Sequence, residues 1–293
     1  GYNNASDIDQ SGKGNRIDVK QKSLAEEQVA VRPRLLRMPE VVSDDVAGNS
    51  STIIQKGSKN AIWVDQKGEE NKSDIDQDGK RNYTVVWQRG DKNESEIVQD
   101  EFGKRNDIYV LQRGKKNKSD IEQTGNDNYT DVWQKGDKNE SVVDQKDDDN
   151  DIAVHQYSDG NFSKIIQAGE DNTIFVKQKG DGAENRSRVN QDGNNQLVEV
   201  RQNGDLKGRK NRSVVKQSGD GSKAYVTQRG AGNYSNVNQD NGAQYSASLQ
   251  IGRRNKSTVN QCGTGSGNSS VYQNGVGNMS NVTQYSSGLM TVN

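Results

Sequence analysis

A glutamine returns along this chain every eleven residues: Gln55, Gln66, Gln77, Gln88 and Gln99, then Gln112, Gln123, Gln134, Gln145, Gln156, Gln167 and Gln178. The register runs from Gln10 to Gln284 and holds 23 glutamines, with 17 of its 22 intervals eleven residues long. Asn stands six residues before the glutamine in 19 of 23 cases, and Gly two residues after it in 17 of 23. The unit is N-x-Φ-x-Φ-x-Q-x-G-x-x, with a small or β-branched residue at each Φ. Repetition on this scale identifies an architecture before any single residue is interpreted. It directs the search for function to the shape and self-association of a rod rather than to a pocket.

Successive units differ, and the difference fixes the true period. In one arm the first Φ is serine, as in Ser73 with Ile75, Ser95 with Ile97 and Ser119 with Ile121. In the other it is usually larger, as in Ile62 with Val64, Thr84 with Val86 and Ile108 with Val110. Two arms alternate, so the structural repeat is about 22 residues with two strands in each.

Composition alone points elsewhere. Hydrophobic residues make up 28% of the chain, charged residues another 28%, and the mean hydropathy is -1.12, values typical of disorder because little apolar surface is left to offset ordering entropy. The pattern overrules that prior. Strict alternation over seven residues marks a strand with one buried face. The 92 sites formed by Asn, the two Φ positions and Gln carry no Asp, Glu, Lys or Arg, where the average would place about 26. Charge has been sorted onto the other face.

Closure and stacking give the fold class: an all-β, two-sheet β-solenoid with about 22 residues per coil, two strands per coil and amyloid-like stacking at about 4.8 Å. The turn glycines Gly57, Gly68, Gly79, Gly90, Gly125 and Gly136 supply a positive φ or a close backbone approach. Chain reversal sets the first Φ of one arm across from the second Φ of the other, so Ser faces Val or Ile and the sheets approach closely. The corner amides are expected to form ladders along the rod, since buried amides are costly unless bonded. Candidates for this structural ladder are Asn60, Gln66, Asn71, Gln77, Asn82, Gln88, Asn117, Gln123, Asn128 and Gln134.

The organisation read from the sequence is a first coil over residues 1–22, an interrupting insertion or degenerate coil over 23–48, and a continuous solenoid of repeats over 49–293. The interruption contains both prolines, Pro33 and Pro39, and lacks the unit pattern. Shorter slips fall in turns, at 100–105, 179–184, 203–210 and 262–267, where added residues leave strand faces unchanged. Residues 285–293 are read as a final partial strand.

Alternating units such as N-K-S-D-I-D-Q-D-G-K-R-N-Y-T-V-V-W-Q-R-G, from Asn71 to Gly90, resemble the curlin repeat of curli, the amyloid fibres that bacteria assemble on their surfaces. The resemblance covers nearly the whole chain outside residues 22–48. It implies a major-subunit-like, secreted protein of the extracellular biofilm matrix that crosses the outer membrane through a dedicated secretion channel. It also implies nucleation by a nucleator subunit, homopolymerisation and surface adhesion.

The physics of the repeat reaches polymerisation independently. Solenoid ends expose unpaired strand edges, which proteins normally cap. Here Asn4, Ser6, Ile8 and Gln10 already form a serine arm, and Asn278, Ser280, Val282 and Gln284 form another. These are the expected polymer ends, joined head to tail, and 23 strands give about 55 Å of rod per subunit. The chain begins at Gly1 without a leader, as expected of a processed secreted product.

The outward positions are more individual. The column Lys72, Glu94, Lys118 and Glu140 alternates in sign, which suits stacked strands. Trp63, Tyr83, Trp87, Tyr109, Tyr129, Trp133 and Phe175 form an aromatic strip suited to lateral bundling or to adhesion to surfaces and glycans. The same residues also suit a strand on β-propensity alone.

Other functions have little to stand on. His155, the only histidine, points outward without a nucleophile partner in the repeat, and Cys262 is a single surface thiol in a turn. The acidic turn Asp147, Asp148, Asp149 and Asp151 matches no calcium-loop spacing, so no metal site, cofactor or catalytic residue is assigned. A net charge of -1 argues against a nucleic-acid partner, and no apolar stretch is long enough to be a transmembrane segment. The alternative function is a non-polymerising secreted β-solenoid adhesin, or a carbohydrate-binding or carbohydrate-processing β-helix. The processing form would require irregular loops with clustered carboxylates.

Overall fold

A computed structural model describes residues 3–22, 47–100, 103–180, 184–205 and 209–285. Its first strands are β1 (Asn3–Gln10), β2 (Arg16–Lys22), β3 (Ala47–Gln55), β4 (Ala61–Lys67), β5 (Lys72–Gln77), β6 (Tyr83–Asp91), β7 (Glu94–Gln99) and β8 (Asp107–Lys115). Then come β9 (Lys118–Gln123), β10 (Tyr129–Lys135), β11 (Glu140–Gln145), β12 (Asp151–Tyr157), β13 (Phe162–Ala168), β14 (Thr173–Gly180), β15 (Arg186–Asp192) and β16 (Leu197–Gly204). The last are β17 (Arg212–Ser218), β18 (Lys223–Ala231), β19 (Tyr234–Asp240), β20 (Tyr245–Arg253), β21 (Lys256–Cys262), β22 (Asn268–Val276) and β23 (Met279–Tyr285). Odd-numbered strands form a 12-stranded sheet and even-numbered strands an 11-stranded one, every neighbour pairing being parallel and two elements apart. The chain is a β-solenoid whose every coil lays one strand on each sheet.

Register follows the repeat. Gln55 pairs with Gln77, Gln77 with Gln99, Ser73 with Ser95 and Ile75 with Ile97, so each side chain stacks on its own counterpart in the next coil. The core between the sheets takes one column of Ile and Val from the 12-stranded sheet and two largely apolar columns from the 11-stranded sheet, flanked by Ser, Thr, Asn and Gln, and no buried residue among those described is charged. Serine sits there for its size: Ser73, Ser95, Ser119 and Ser141 are buried with hydroxyls that find no partner. Each such hydroxyl costs free energy, a cost that close approach of the two sheets must outweigh. Ser235 is an exception, bonding across the core to Ser248 at 3.2 Å, and this contact also joins a first Φ to a second Φ.

β1 pairs directly with β3, Gln10 on Gln55, and β2 with β4, Gln21 on Gln66. The interval of 45 residues between those partners therefore places no strand between the rungs. The insertion or degenerate coil over 23–48 and the final partial strand at 285–293 fall almost wholly outside the described residues, as do parts of the three longer turns.

Most of the described reversals use two left-handed residues, one more than the repeat announces. The first is the turn glycine, for instance Gly90 at φ 116°. A Cβ there would lie 2.1 Å from the Gly114 carbonyl oxygen of the next coil, so conformation and close approach both demand glycine. The second is the residue just before the corner Asn, such as Lys59, Arg81, Lys92 or Lys116, with φ between 58° and 61°. Glycine holds that same place at Gly14, Gly160, Gly232 and Gly277, the one signal in the sequence that marks it.

Candidate functional site: ladders, ends and an aromatic strip

The register glutamines are hydrogen-bonded to one another along the rod. On the 11-stranded sheet an unbroken chain runs from Gln21 through Gln66, Gln88, Gln112 and Gln134 to Gln273, each Nε2 donating to the next Oε1 at 2.8–2.9 Å. The same Nε2 groups also donate to backbone carbonyls on the opposite arm, as Gln88 does to Lys72 at 2.8 Å. On the 12-stranded sheet the ladder runs from Gln10 through Gln55, Gln77 and Gln123 to Gln145, then stops. Gln167 turns its Nε2 to Asn150 Oδ1 at 3.3 Å, leaving Gln145 Nε2 and the Oε1 atoms of Gln167 and Gln191 without partners. The ladder resumes from Gln191 and reaches Gln284.

Asparagine works as a corner clamp. Asn71 Oδ1 accepts the backbone N–H of Asn93 at 3.1 Å and its Nδ2 at 2.9 Å, while Asn71 Nδ2 donates to the Gly90 carbonyl at 2.6 Å. At the other corner Asn60 Oδ1 accepts from the Asn82 N–H at 2.9 Å, and Asn128 accepts from Asn150 at 3.0 Å. Where the corner is no longer Asn the device changes: Gln196 N–H still donates to Asn172 Oδ1 at 2.9 Å, but Gln196 Oε1 finds no partner and Ser222 Oγ accepts the Gln244 N–H only at 3.4 Å. Asn117, Gln123, Asn128 and Gln134 all lie in these columns.

Sequence reasoning missed a third ladder, in the turns. The carboxylate of Asp137 accepts the Lys115 N–H at 2.8 Å, Asp159 accepts that of Asp137 at 2.8 Å, and Asp220 accepts that of Asn194 at 2.8 Å. The acidic turn behaves likewise, with Asp147 accepting from Gly169 at 2.8 Å and Asp148 from Asn126 at 2.7 Å. Asp or Asn directly after the turn glycine is the signal that would have found it. Among the described residues no group of three His, Cys, Asp or Glu side chains is placed to hold a metal ion.

The ends carry opposite hydrogen-bonding polarity. Because every glutamine–glutamine bond in the ladders donates towards higher residue numbers, the β1 end presents the Oε1 of Gln10 and Gln21, and the β23 end presents the amide nitrogens of Gln284 and Gln273. Ile8, 45% exposed, stands on an edge strand at one end, and the β23 positions Ser280, Val282 and Gln284 are only half-buried at the other.

On the 11-stranded sheet six of the seven strip aromatics come together. Trp63, Tyr83, Trp87, Tyr109, Tyr129 and Trp133 line an apolar groove of ≈ 310 Å³ with Val85, Leu111 and Asp131, the last three not expected from the sequence. Tyr109 contacts Tyr83 edge-on at 5.8 Å and Tyr129 at 5.7 Å. Phe175 lies apart, edge-on to His155 at 5.4 Å and beneath Arg201. His155 stacks on Trp133 at 5.2 Å and contacts Asp131 at 3.3 Å. Asp107 and Asp151 stack either side of Tyr129, and burial holds both carboxyls above the usual range. Burial, reinforced by Asp107, likewise raises the Tyr109 phenol.

On the opposite face Lys118 reaches Glu94 at 4.0 Å, as the alternating column leads one to expect. Lys72 does not follow: it pairs with Asp74 on its own strand at 2.5 Å, and that contact raises its pKa.

A sequence search of curated proteins returned no match. The family model described as Curlin associated repeat matches three segments, residues 68–100, 103–136 and 148–180. Each segment spans three successive strands with their turns, one full coil and the next rung of the ladder. Over these three segments the chain carries curlin-associated repeats.

Proposed function

We propose that this protein is a structural subunit of an extracellular, curli-like amyloid fibre, secreted to the bacterial cell surface and growing head to tail by strand stacking. One observation carries the reading: among the described residues the amide ladders end open on both sides with complementary polarity, acceptors at Gln10 and Gln21 and donors at Gln284 and Gln273. A second copy seated on β23 brings its Gln10 acceptor to the Gln284 donor. The coil of residues 1–22, the interruption at 23–48 and the solenoid of 49–293 then act as one templating rod. A nucleator subunit and an outer-membrane secretion channel are the partners this role calls for, with biofilm matrix as its setting. The aromatic groove serves as the adhesive strip towards surfaces or glycans.

The strand count constrains the junction. Seating β23 on a second copy's β1 continues the 12-stranded sheet directly, but leaves one strand position between β22 and that copy's β2.

Purified protein incubated at high concentration should form unbranched fibres, with a cross-β reflection near 4.7 Å and seeding by preformed fragments. Ile8→Pro and Val282→Pro, one at each end, should each slow elongation while leaving the monomer's β-spectrum in place. A chain that remains monomeric without that reflection refutes the proposal and favours a monomeric adhesin.

A further inference from the structure

The outer face of the 12-stranded sheet is divided by charge. At the three outward positions before each register glutamine, β5, β7, β9 and β11 carry eight carboxylates against two lysines. The same positions on β13, β15 and β17 carry five cations and no carboxylate. The central column shows the division most clearly. Asp74, Glu96 and Asp120 stack on successive strands, Val142 follows, and then Lys164 and Arg188 stack in turn.

Like charges on adjacent strands destabilise a sheet, and within the central column only Asp74 is offset by an ion pair, to Lys72. Among the described residues Glu96, Asp120, Lys164 and Arg188 form no ion pair. All four point outward, with Asp120 half-buried and the others exposed. An alternating column would have avoided the repulsion, and the neighbouring column Lys72, Glu94, Lys118, Glu140 is built that way.

From Glu96 to Arg188 the central column becomes its own complement when read backwards with charge inverted about Val142, and beyond that stretch Asp74 meets Val214. We infer that this face is a lateral interface between two copies of the chain running antiparallel, related by a two-fold axis along β11. That symmetry sets Asp120 opposite Lys164, Glu96 opposite Arg188, Glu94 opposite Arg186 and Asp76 opposite Lys216 of the second copy, each pair occurring twice. Lys72 meets Arg212 at the far ends, and Glu140 and Asp144 meet their own copies at the strip's margins, where water screens them. Parallel rods in register would instead set the acidic half of the strip on the acidic half and the basic half on the basic half. Seven strands by six residues present about 700 Å² per copy, and twice that falls within the range of specific protein interfaces.

The test uses two charge-reversed chains, Glu96→Lys/Asp120→Lys and Lys164→Glu/Arg188→Glu. Sedimentation velocity on freshly prepared protein reports side-by-side dimers, and electron microscopy of fibres reports pairing and relative polarity. The wild type should pair at about 0.05 M salt and weaken at least tenfold by about 0.5 M, as the Debye length shrinks several-fold. Each variant alone should lose pairing by at least tenfold while keeping its β-spectrum and its rate of end-on growth, and an equimolar mixture of the two should regain it. Failure of the mixture to regain pairing, wild-type pairing by either variant alone, or no wild-type pairing at low salt would overturn the inference. Sedimentation scores pairing separately from elongation, so the lateral contact is tested even in a chain that does not polymerise end to end.

Discussion

Replacing Gln112 with leucine tests the ladder where it is continuous, and replacing Gln167 with leucine tests it where it is broken. Gln112 donates to Gln134 Oε1 at 2.9 Å and to the Glu94 carbonyl at 2.8 Å, and accepts from Gln88 at 2.8 Å. Leucine removes all three. Gln88 keeps its contacts to Lys72 and Asn93, but Gln134 Oε1 and the Glu94 carbonyl lose a donor inside a closed core. A stranded buried acceptor costs about 1–3 kcal/mol, so the two together cost roughly 3–4 kcal/mol, and leucine's greater apolar burial offsets about 1 kcal/mol of it. The expected net loss is about 2–3 kcal/mol. Gln167 has one contact, at 3.3 Å, and an Oε1 already without a partner, so its replacement should cost about 0–1 kcal/mol. Solenoids open locally, so amide hydrogen exchange of the rungs on either side is the assay. Protection beside residue 112 should fall about 30-fold or more, and beside residue 167 only a few-fold. Equal losses at the two sites would refute the claim that ladder bonds stabilise the rod, leaving side-chain volume as the explanation.

Three further outcomes follow from the same geometry. Gly114→Ala, at φ 127° with its Cβ 2.1 Å from the Gly136 oxygen, should cost at least about 3 kcal/mol, whereas Gly277→Ala, with nothing within 4 Å, should cost about 1 kcal/mol; denaturation midpoints of the two variants check this. Asp107 and Asp151 hold their protons more tightly folded than unfolded, so their contribution to stability falls as pH rises from about 4 through their folded titration. Asn at both positions should therefore raise the melting temperature at neutral pH and flatten that fall, and a lower melting temperature at pH 7 would contradict the sign. Replacing Trp63, Trp87 and Trp133 with Thr should leave fibre growth intact and abolish binding to apolar or glycan-coated surfaces; unchanged binding would dismiss the adhesive role of the groove.

The eleven-residue register was enough to derive two parallel sheets, the 22-residue coil, the charge-free interior and the stacking of like residues. Those properties depend only on side-chain period and on which positions exclude charge, and a repeated one-dimensional pattern writes both many times over. The second left-handed turn residue was marked only by glycines such as Gly14 and Gly160, because Lys, Arg and Asp fill the same place elsewhere. The sequence also singled out the strip aromatics, but whether neighbours at about 4.8 Å spacing meet in one groove depends on side-chain packing, which drew in Val85 and Leu111 and left Phe175 outside. Tertiary structure alone settled the ladder fault at Gln167, since its unit reads like every other and only the competing Asn150 amide oxygen diverts it. The direction of the ladders was likewise invisible beforehand. An amide has no polarity in a sequence, and acquires one only when the coil above and the coil below are both in place.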